Sequence, residues 1–305
     1  MPFLTFTPTL SFNPTFFLTT LFSTPSTKKN YKLFFFKGDT CCNRLSLGGF
    51  KTFLEENIPG VYVNSIRIGD SFIEDLENGY FLEPSIQIKT ACKLLAEDPK
   101  LKDGFHAIGF SQGCQFLRGV IQRCGHQLKV KTFISLGGQH QGVYGLPHCA
   151  ALQSKSCDYI RKLLKYAAYN SWVQHHLVQA TYWHDPLAEE SYRNNSIFLS
   201  DINNEISINQ TYVDNLNTLD RFVMVKFDND TMVQPRESEW FGYYLPGQSR
   251  KSITLRESRI YLEDRLGLKR MDEAGKLTFL SLPGDHLRFS DVWFINNIIK
   301  PYLLN

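Results

Sequence analysis

A serine held between two glycines, Gly109-Phe110-Ser111-Gln112-Gly113, follows the apolar stretch His106-Ala107-Ile108 and precedes a helix-like run from Gln115 to Arg123. This arrangement of strand, tight turn and helix lifts a serine hydroxyl on a strained backbone, and glycines two residues to either side let the turn close without side-chain clash. A serine hydroxyl attacks a carbonyl only when a neighbouring base takes its proton, so the motif implies acyl-transfer chemistry and requires a histidine oriented by a carboxylate. A bare Gly-x-Ser-x-Gly also occurs in ordinary turns. Its weight here comes from the strand before it and the helix after it.

On an open α/β scaffold the acid and the histidine must come later in the chain, in that order, each at the end of a strand. Phe222-Val223-Met224-Val225-Lys226-Phe227 is rich in β-branched and aromatic residues and runs into Asp228-Asn229-Asp230-Thr231, so either Asp228 or Asp230 is a candidate acid. Leu277-Thr278-Phe279-Leu280-Ser281-Leu282 is a second such strand, and Pro283-Gly284-Asp285-His286 follows it. His286 therefore stands where the base belongs. The other histidines, at 106, 126, 140, 148, 175, 176 and 184, do not follow a strand in the last third of the chain.

The expected fold class is α/β: an α/β-hydrolase with a mostly parallel sheet flanked by helices and a helical insertion over the active-site edge. Strands are expected near Lys32 to Phe36, near Gly60 to Ile68, before the serine and over Lys131 to Leu136. A helix is expected from Glu83 to Glu97, and a terminal amphipathic run from Val292 to Tyr302. Between Gly137 and Leu219 the text turns helical and polar, which predicts a cap of about residues 137–219 within one domain spanning 31–305. With 305 residues, 43% of them hydrophobic, the chain can bury a large single core. A formal net charge of +3 gives no reason to expect a nucleic-acid partner. No Cys-x-x-Cys, His-Glu-x-x-His, Gly-x-Gly-x-x-Gly or phosphate-binding loop is present, so no metal and no cofactor are expected.

Several longer stretches carry a specific resemblance. Gly109 to Arg118 (GFSQGCQFLR), Gly137 to Pro147 (GGQHQGVYGLP), Leu177 to Pro186 (LVQATYWHDP), Phe222 to Asp230 (FVMVKFDND), Ser238 to Tyr243 (SEWFGY) and Asp264 to Met271 (DRLGLKRM) make the chain similar to the lysosomal palmitoyl-protein thioesterases from Cys41 onward. The resemblance implies Ser111 as nucleophile, Asp230 as acid and His286 as base. It implies a substrate too: palmitate and similar acyl groups in thioester linkage to cysteines of proteins or peptides, or in palmitoyl-CoA-like thioesters. It also implies disulfides pairing Cys41 with Cys42, Cys92 with Cys124 and Cys149 with Cys157, glycosylation at the sequons of Asn194, Asn209 and Asn229, and a lysosomal or secreted location. Cys114, left unpaired, reads as a small buried thiol whose closeness to a helix start could lower its pKa.

The oxyanion formed on attack needs two backbone N–H donors, one from Gln112 and one from the loop after the first strand. There the chain departs from the family's His-Gly-Met-Gly-Asp-like segment: it reads Phe34-Phe35-Phe36-Lys37-Gly38-Asp39, so Lys37 takes the donor's place and a bulky Phe36 stands where glycine is expected. In the insertion, Val173-Gln174, Leu177-Val178 and Ala180-Thr181 recur at helical spacing, which by spacing alone is core packing. The resemblance makes Gln174 and Val178, together with His140, candidates for an acyl groove. Two rival readings accompany the thioesterase: a general lipase or carboxylesterase using the same triad, and a catalytically silent product with a damaged oxyanion loop. Residues 1–30 match nothing in the family. Met1 to Thr27 lacks any charge and is interrupted by Pro and Thr, which reads as an alternative first exon or an atypical signal peptide. Its longest apolar stretch, Phe16 to Phe22, is too short for a bilayer, which takes about 20 residues, and no transmembrane segment is expected.

Overall fold

The computed structural model describes residues 32–37, 47–145, 164 and 166–304. Six strands form one parallel sheet in the order β2-β1-β3-β4-β5-β8: β1 (Lys32–Lys37), β2 (Tyr62–Ser65), β3 (Phe105–Phe110), β4 (Val130–Leu136), β5 (Arg221–Phe227) and β8 (Leu277–Leu282). A two-residue ladder, β6 (Tyr243–Tyr244) with β7 (Ser252–Ile253), lies apart from it. Because all six strands run parallel and are joined by crossovers, helices cover both faces and the inner strands read as continuous apolar runs.

Alternation along those strands divides the core in two. Phe105 and Ala107 of β3, Phe133 of β4, and Phe222 and Met224 of β5 face the side covered by α3 (Pro84–Glu97) and α4 (Gln112–Cys124). Ile108 and Phe110, Ile134 and Leu136, and Val223, Val225 and Phe227 face α1 (Leu47–Asn57) and the C-terminal helix. Each such buried side chain contributes about 1.5–3 kcal/mol relative to exposure. Phe222 is central: fully buried, it stacks on Phe133 at 4.7 Å between ring centroids and meets Phe241 edge-on at 6.1 Å.

The strand expectations hold, with the second shortened to Tyr62–Ser65. The helix after the serine is longer than its apolar pattern suggested, starting at Gln112, directly at the turn. Two helices without a strong apolar period went unread, α1 and α2 (Phe72–Phe81), the latter capped by the Ser71 side chain accepting from the Glu74 N–H at 3.1 Å. The terminal run begins as a short α-helix, Asp291–Phe294, and continues over Ile295–Leu303 in a wider π-type winding that contains Pro301. Between β4 and β5 the described chain folds into short helices, Ser171–His176, Val178–Thr181, Glu189–Asn195, Leu199–Ile202 and Gln210–Asn217, with no strand of the main sheet among them. None of the described helices is long and apolar enough to cross a membrane.

The cost of opening the core at β5 is measurable. Phe222→Ala should lower unfolding stability by about 3–5 kcal/mol, read as a lower urea midpoint at unchanged slope.

Candidate active site

β3 ends at Phe110, and the chain turns into α4 through one residue, Ser111, whose backbone sits at φ 51°, ψ −125°. An L-residue there costs on the order of 1–3 kcal/mol and persists only where its surroundings hold it. Two backbone bonds do so: the Ser111 N–H donates to the Leu136 carbonyl at 2.9 Å and the Cys114 N–H to the Ser111 carbonyl at 3.0 Å. A side chain at Gly109 would put its Cβ 2.8 Å from the Cys114 Cα, so the turn closes only with glycine in that place. Across the site, a Cβ on Gly137, at φ +64°, would stand 3.0 Å from His286 Cε1.

The ends of β5 and β8 bring the other two groups to the serine. His286 Nε2 lies 2.9 Å from Ser111 Oγ, and His286 Nδ1 lies 2.5 Å from Asp230 Oδ2. Asp230 and not Asp228 reaches the imidazole. The Asp228 carboxylate points out to Lys226 Nζ at 2.9 Å. Asp230 Oδ1 accepts the N–H groups of Met232 at 2.7 Å and Val233 at 2.8 Å. Burial opposes ionisation of Asp230, but the hydrogen bond and charge of His286 and the Val233 N–H outweigh it and hold the carboxyl below its ordinary value. The two loops are joined by Asp285, whose Oδ1 accepts from Thr231 N, Thr231 Oγ1 and His286 N at 2.9, 2.8 and 2.7 Å. The Asn229 N–H adds a bond to the Gly284 carbonyl at 3.0 Å.

With Nδ1–H donated to a carboxylate, the imidazole offers Nε2 as acceptor to the serine hydroxyl, the tautomer that general-base catalysis requires. The backbone N–H of Gln112 lies in the first turn of α4, where helical N–H groups have no intrahelical acceptor and the helix dipole favours an anion. Its side chain is engaged elsewhere: Nε2 donates to the Gly79 carbonyl at 2.8 Å, and Oε1 accepts from the Tyr182 hydroxyl at 3.1 Å. Lys37 ends β1 in register with Phe110, one residue before the nucleophile, and Phe36 is still within the strand, opposite Gly109. Gly38 to Ser46 lie outside the described residues.

The chain belongs to the palmitoyl protein thioesterase family. The family model matches residues 34–286, which contain the whole arrangement of serine, histidine and aspartate. Palmitoyl-protein thioesterase 1 of Caenorhabditis elegans is 46% identical over 267 residues, 88% of this chain and 89% of that one. Palmitoyl-protein thioesterase 3 of Dictyostelium discoideum is 34% identical over 85% of each chain. The lysosomal thioesterase PPT2 homolog of Drosophila melanogaster is 32% identical over 66% of this chain and 69% of that one. The parallel sheet of this chain, with the serine on a strand-to-helix turn and the acid and histidine after later strands, is that of an α/β-hydrolase.

The three groove candidates are all buried side chains. His140 is fully buried: Nε2 pairs with Ser135 Oγ at 2.8 Å, and the ring stacks on Phe241 at 4.5 Å. Burial and the nearby Arg118 push its pKa well below the usual histidine value, so it is a neutral packing residue. Gln174 uses its amide to bind the Ala168 and Ala180 carbonyls at 2.6 and 2.7 Å and the Ile197 N–H at 3.0 Å. Val178 is packed in the apolar core beside it. Gln174 and Val178 thus hold the short helices of this segment together, the packing role that their helical spacing alone implied.

Cys92 and Cys124 form a disulfide joining α3 to the end of α4, with Cα atoms 6.1 Å apart. Cys41, Cys42, Cys149 and Cys157 lie outside the described residues. Cys114 is a buried free thiol, and burial pushes its pKa up to about 12, the reverse of the lowering its place on α4 suggested. Asn194, Asn209 and Asn229 are all exposed.

Two polar residues escaped sequence reading, although both lie in the quoted motifs. Arg118 is fully buried, with Nη2 donating to the His140 carbonyl at 3.0 Å and Asn203 Oδ1 at 2.7 Å, and Nη1 to the Ile202 carbonyl at 2.9 Å. Glu239, on the 3-10 helix Arg236–Trp240, is also fully buried. Burial first, and then the charge of Asp230, raise its pKa from 4.5 to about 10.

This last shift makes stability depend on pH. Between the ordinary carboxyl pKa of 4.5 and about 10, the folded protein keeps a proton that the unfolded chain has released, so Glu239 favours unfolding increasingly as pH rises. Asp230, shifted downward, acts only at acid pH, where its contribution is lost as it protonates. From pH 7 to pH 8, above the range in which the buried neutral histidines 106 and 140 add stability with rising pH, urea midpoints should therefore fall, and Glu239→Gln should flatten that decline.

Proposed function

We propose that this chain is a thioester hydrolase that removes palmitate and similar long-chain acyl groups from S-acylated cysteines of proteins or peptides. The observation that carries the reading is the continuous relay from Ser111 Oγ through His286 to Asp230, at 2.9 and 2.5 Å, in a member of the palmitoyl protein thioesterase family. His286 Nε2 takes the Ser111 proton as Oγ attacks the thioester carbonyl. Asp230 keeps the Nδ1 proton in place and stabilises the imidazolium. The oxyanion is received by the backbone N–H groups of Gln112 and Lys37, each such donor being worth about 10²–10³ in rate. The tetrahedral intermediate collapses and expels the thiolate, which takes the imidazolium proton. Water, deprotonated by the same His286, then adds to the acyl-serine and releases the fatty acid.

A thiol leaves more readily than an alcohol, having a pKa near 8.5, but both ester classes pass through the same acyl-serine. Palmitoyl-CoA and a palmitoylated peptide, assayed against triolein and short p-nitrophenyl esters, separate the thioesterase from a general lipase or carboxylesterase. The disulfide between α3 and α4, the exposed sequon asparagines and the relatives named as lysosomal support a route through the secretory pathway to the lysosome. On that route Cys41–Cys42 and Cys149–Cys157 would complete the disulfide set, and glycans would be carried on Asn194, Asn209 and Asn229.

Ser111→Ala and His286→Ala should each lower kcat on palmitoyl-CoA by roughly 10⁴–10⁶, and Asp230→Asn by about 10⁴, with circular dichroism unchanged. Near-normal turnover in a folded Ser111→Ala protein would exclude the mechanism.

A further inference from the structure

Behind the acid of the relay lies a second carboxyl that the reaction as written does not use. Glu239 is brought there by the 3-10 helix Arg236–Trp240, which packs along β5. Its Oε2 accepts the Phe227 N–H, the last of β5, at 3.1 Å. Oε1 is buried and has no N–H or hydroxyl partner. Phe227 ties this carboxyl to the acid's loop: its N–H is bound by Glu239 Oε2, and its carbonyl accepts the Asp230 N–H at 3.1 Å, which sets the two carboxyls side by side. Two carboxyls can share such a contact only when one carries a proton, since two buried anions side by side repel and neither would be solvated.

Asp230 is committed to the ionised form by the groups already described: two backbone N–H donors on Oδ1 and the imidazole N–H on Oδ2. The proton therefore resides on Glu239. Resting on the thioesterase reading above, we infer that Glu239 is a positioning residue: a neutral carboxylic acid that donates a hydrogen bond to Asp230 and so fixes the carboxylate that orients His286.

The surroundings agree with a neutral group. The ionisable groups facing Glu239 are Asp230 from the loop after β5, Lys226 from β5 and the Cys114 thiol from α4. The Lys226 ammonium is engaged by Asp228 at 2.9 Å and lies 4.7 Å from the Trp240 ring. From the loop after β4, His140 reaches this helix through its backbone N–H, bonded to the Ser238 carbonyl at 3.0 Å, and its ring is neutral. The raised pKa of the Glu239 carboxyl is the expected consequence of burial beside Asp230.

Glu239→Gln and Glu239→Ala separate the possibilities. Glutamine keeps an acceptor for Phe227 N–H and a neutral donor for Asp230, whereas alanine removes both. Palmitoyl-CoA hydrolysis by the Ala variant should fall by about tenfold or more in kcat with KM little changed, the loss of one hydrogen bond to a charged group. Gln should recover the bulk of that loss. Without the donor, Asp230 pulls harder on the imidazole, so the acid limb of kcat/KM moves to higher pH in the Ala variant and stays in place in the Gln variant.

An ionised Glu239 would instead give an acid limb that moves to lower pH on substitution by Gln, because a negative charge is removed, and that result would overturn the assignment. So would a folded Gln variant as slow as Ala, or an Ala variant with wild-type kcat and pH profile that is only less stable. Infrared spectra at pH 7 give a second reading without turnover: the wild-type protein should show the C=O band of a buried protonated carboxyl, absent from Glu239→Gln. If wild-type turnover fails to depend on Ser111, the thioesterase reading falls, while the infrared band and the His286 Nδ1–H proton resonance still decide the state of Glu239. Absence of that band in the wild type contradicts the inference.

Discussion

One residue with a positive φ angle sets the terms for the rest of the site. Ser111 can stand at φ 51° only because β3 delivers it beside β4, where its N–H finds the Leu136 carbonyl, and because Gly109 leaves room for the Cα of Cys114. Strain of on the order of 1–3 kcal/mol is held there by a sheet buried on both faces. The result is a hydroxyl projecting past the C-terminal edge of the sheet, beside the start of α4. Every other requirement follows from that position: a base must come from a strand end across the edge, and an oxyanion must fall at the helix start.

The base and the acid meet this requirement through register. β5 and β8 pair from Phe222 with Leu277 through Phe227 with Leu282, so their following loops emerge side by side. Asp285 then bonds Thr231 from one loop and the His286 N–H from the other. Behind them the structure turns polar in a dry setting: Glu239 lies against Asp230, while Arg118 gathers the His140 carbonyl, Asn203 and Ile202. Such groups are tolerated where their partners satisfy them, and they fix one arrangement of loop, cap and sheet.

The sequence was most legible where physics leaves few choices. The strands β3, β4 and β5 are apolar because both faces of a parallel sheet are covered, and the Gly-x-Ser-x-Gly turn admits few other residues. Asp228 and Asp230 could not be separated by pattern, since both follow β5 and only the direction of each side chain distinguishes them. Phe36, which stands where glycine is expected, is paired within β1, opposite Gly109. The helical spacing of Gln174 and Val178 agrees with their interior packing, and His140 is interior as well. Glu239 gave no signal, because a single glutamate between Ser238 and Trp240 looks like a surface residue until burial is known.

On this mechanism Ser111, activated by His286, is the group that receives the acyl chain. The most direct measurement is reaction with a hexadecyl fluorophosphonate followed by mass spectrometry of the digested protein. One adduct is expected, on the peptide containing Ser111, with labelling lost when His286 is replaced by alanine. An adduct on another residue, the buried Cys114 included, or no adduct on folded protein, would contradict it.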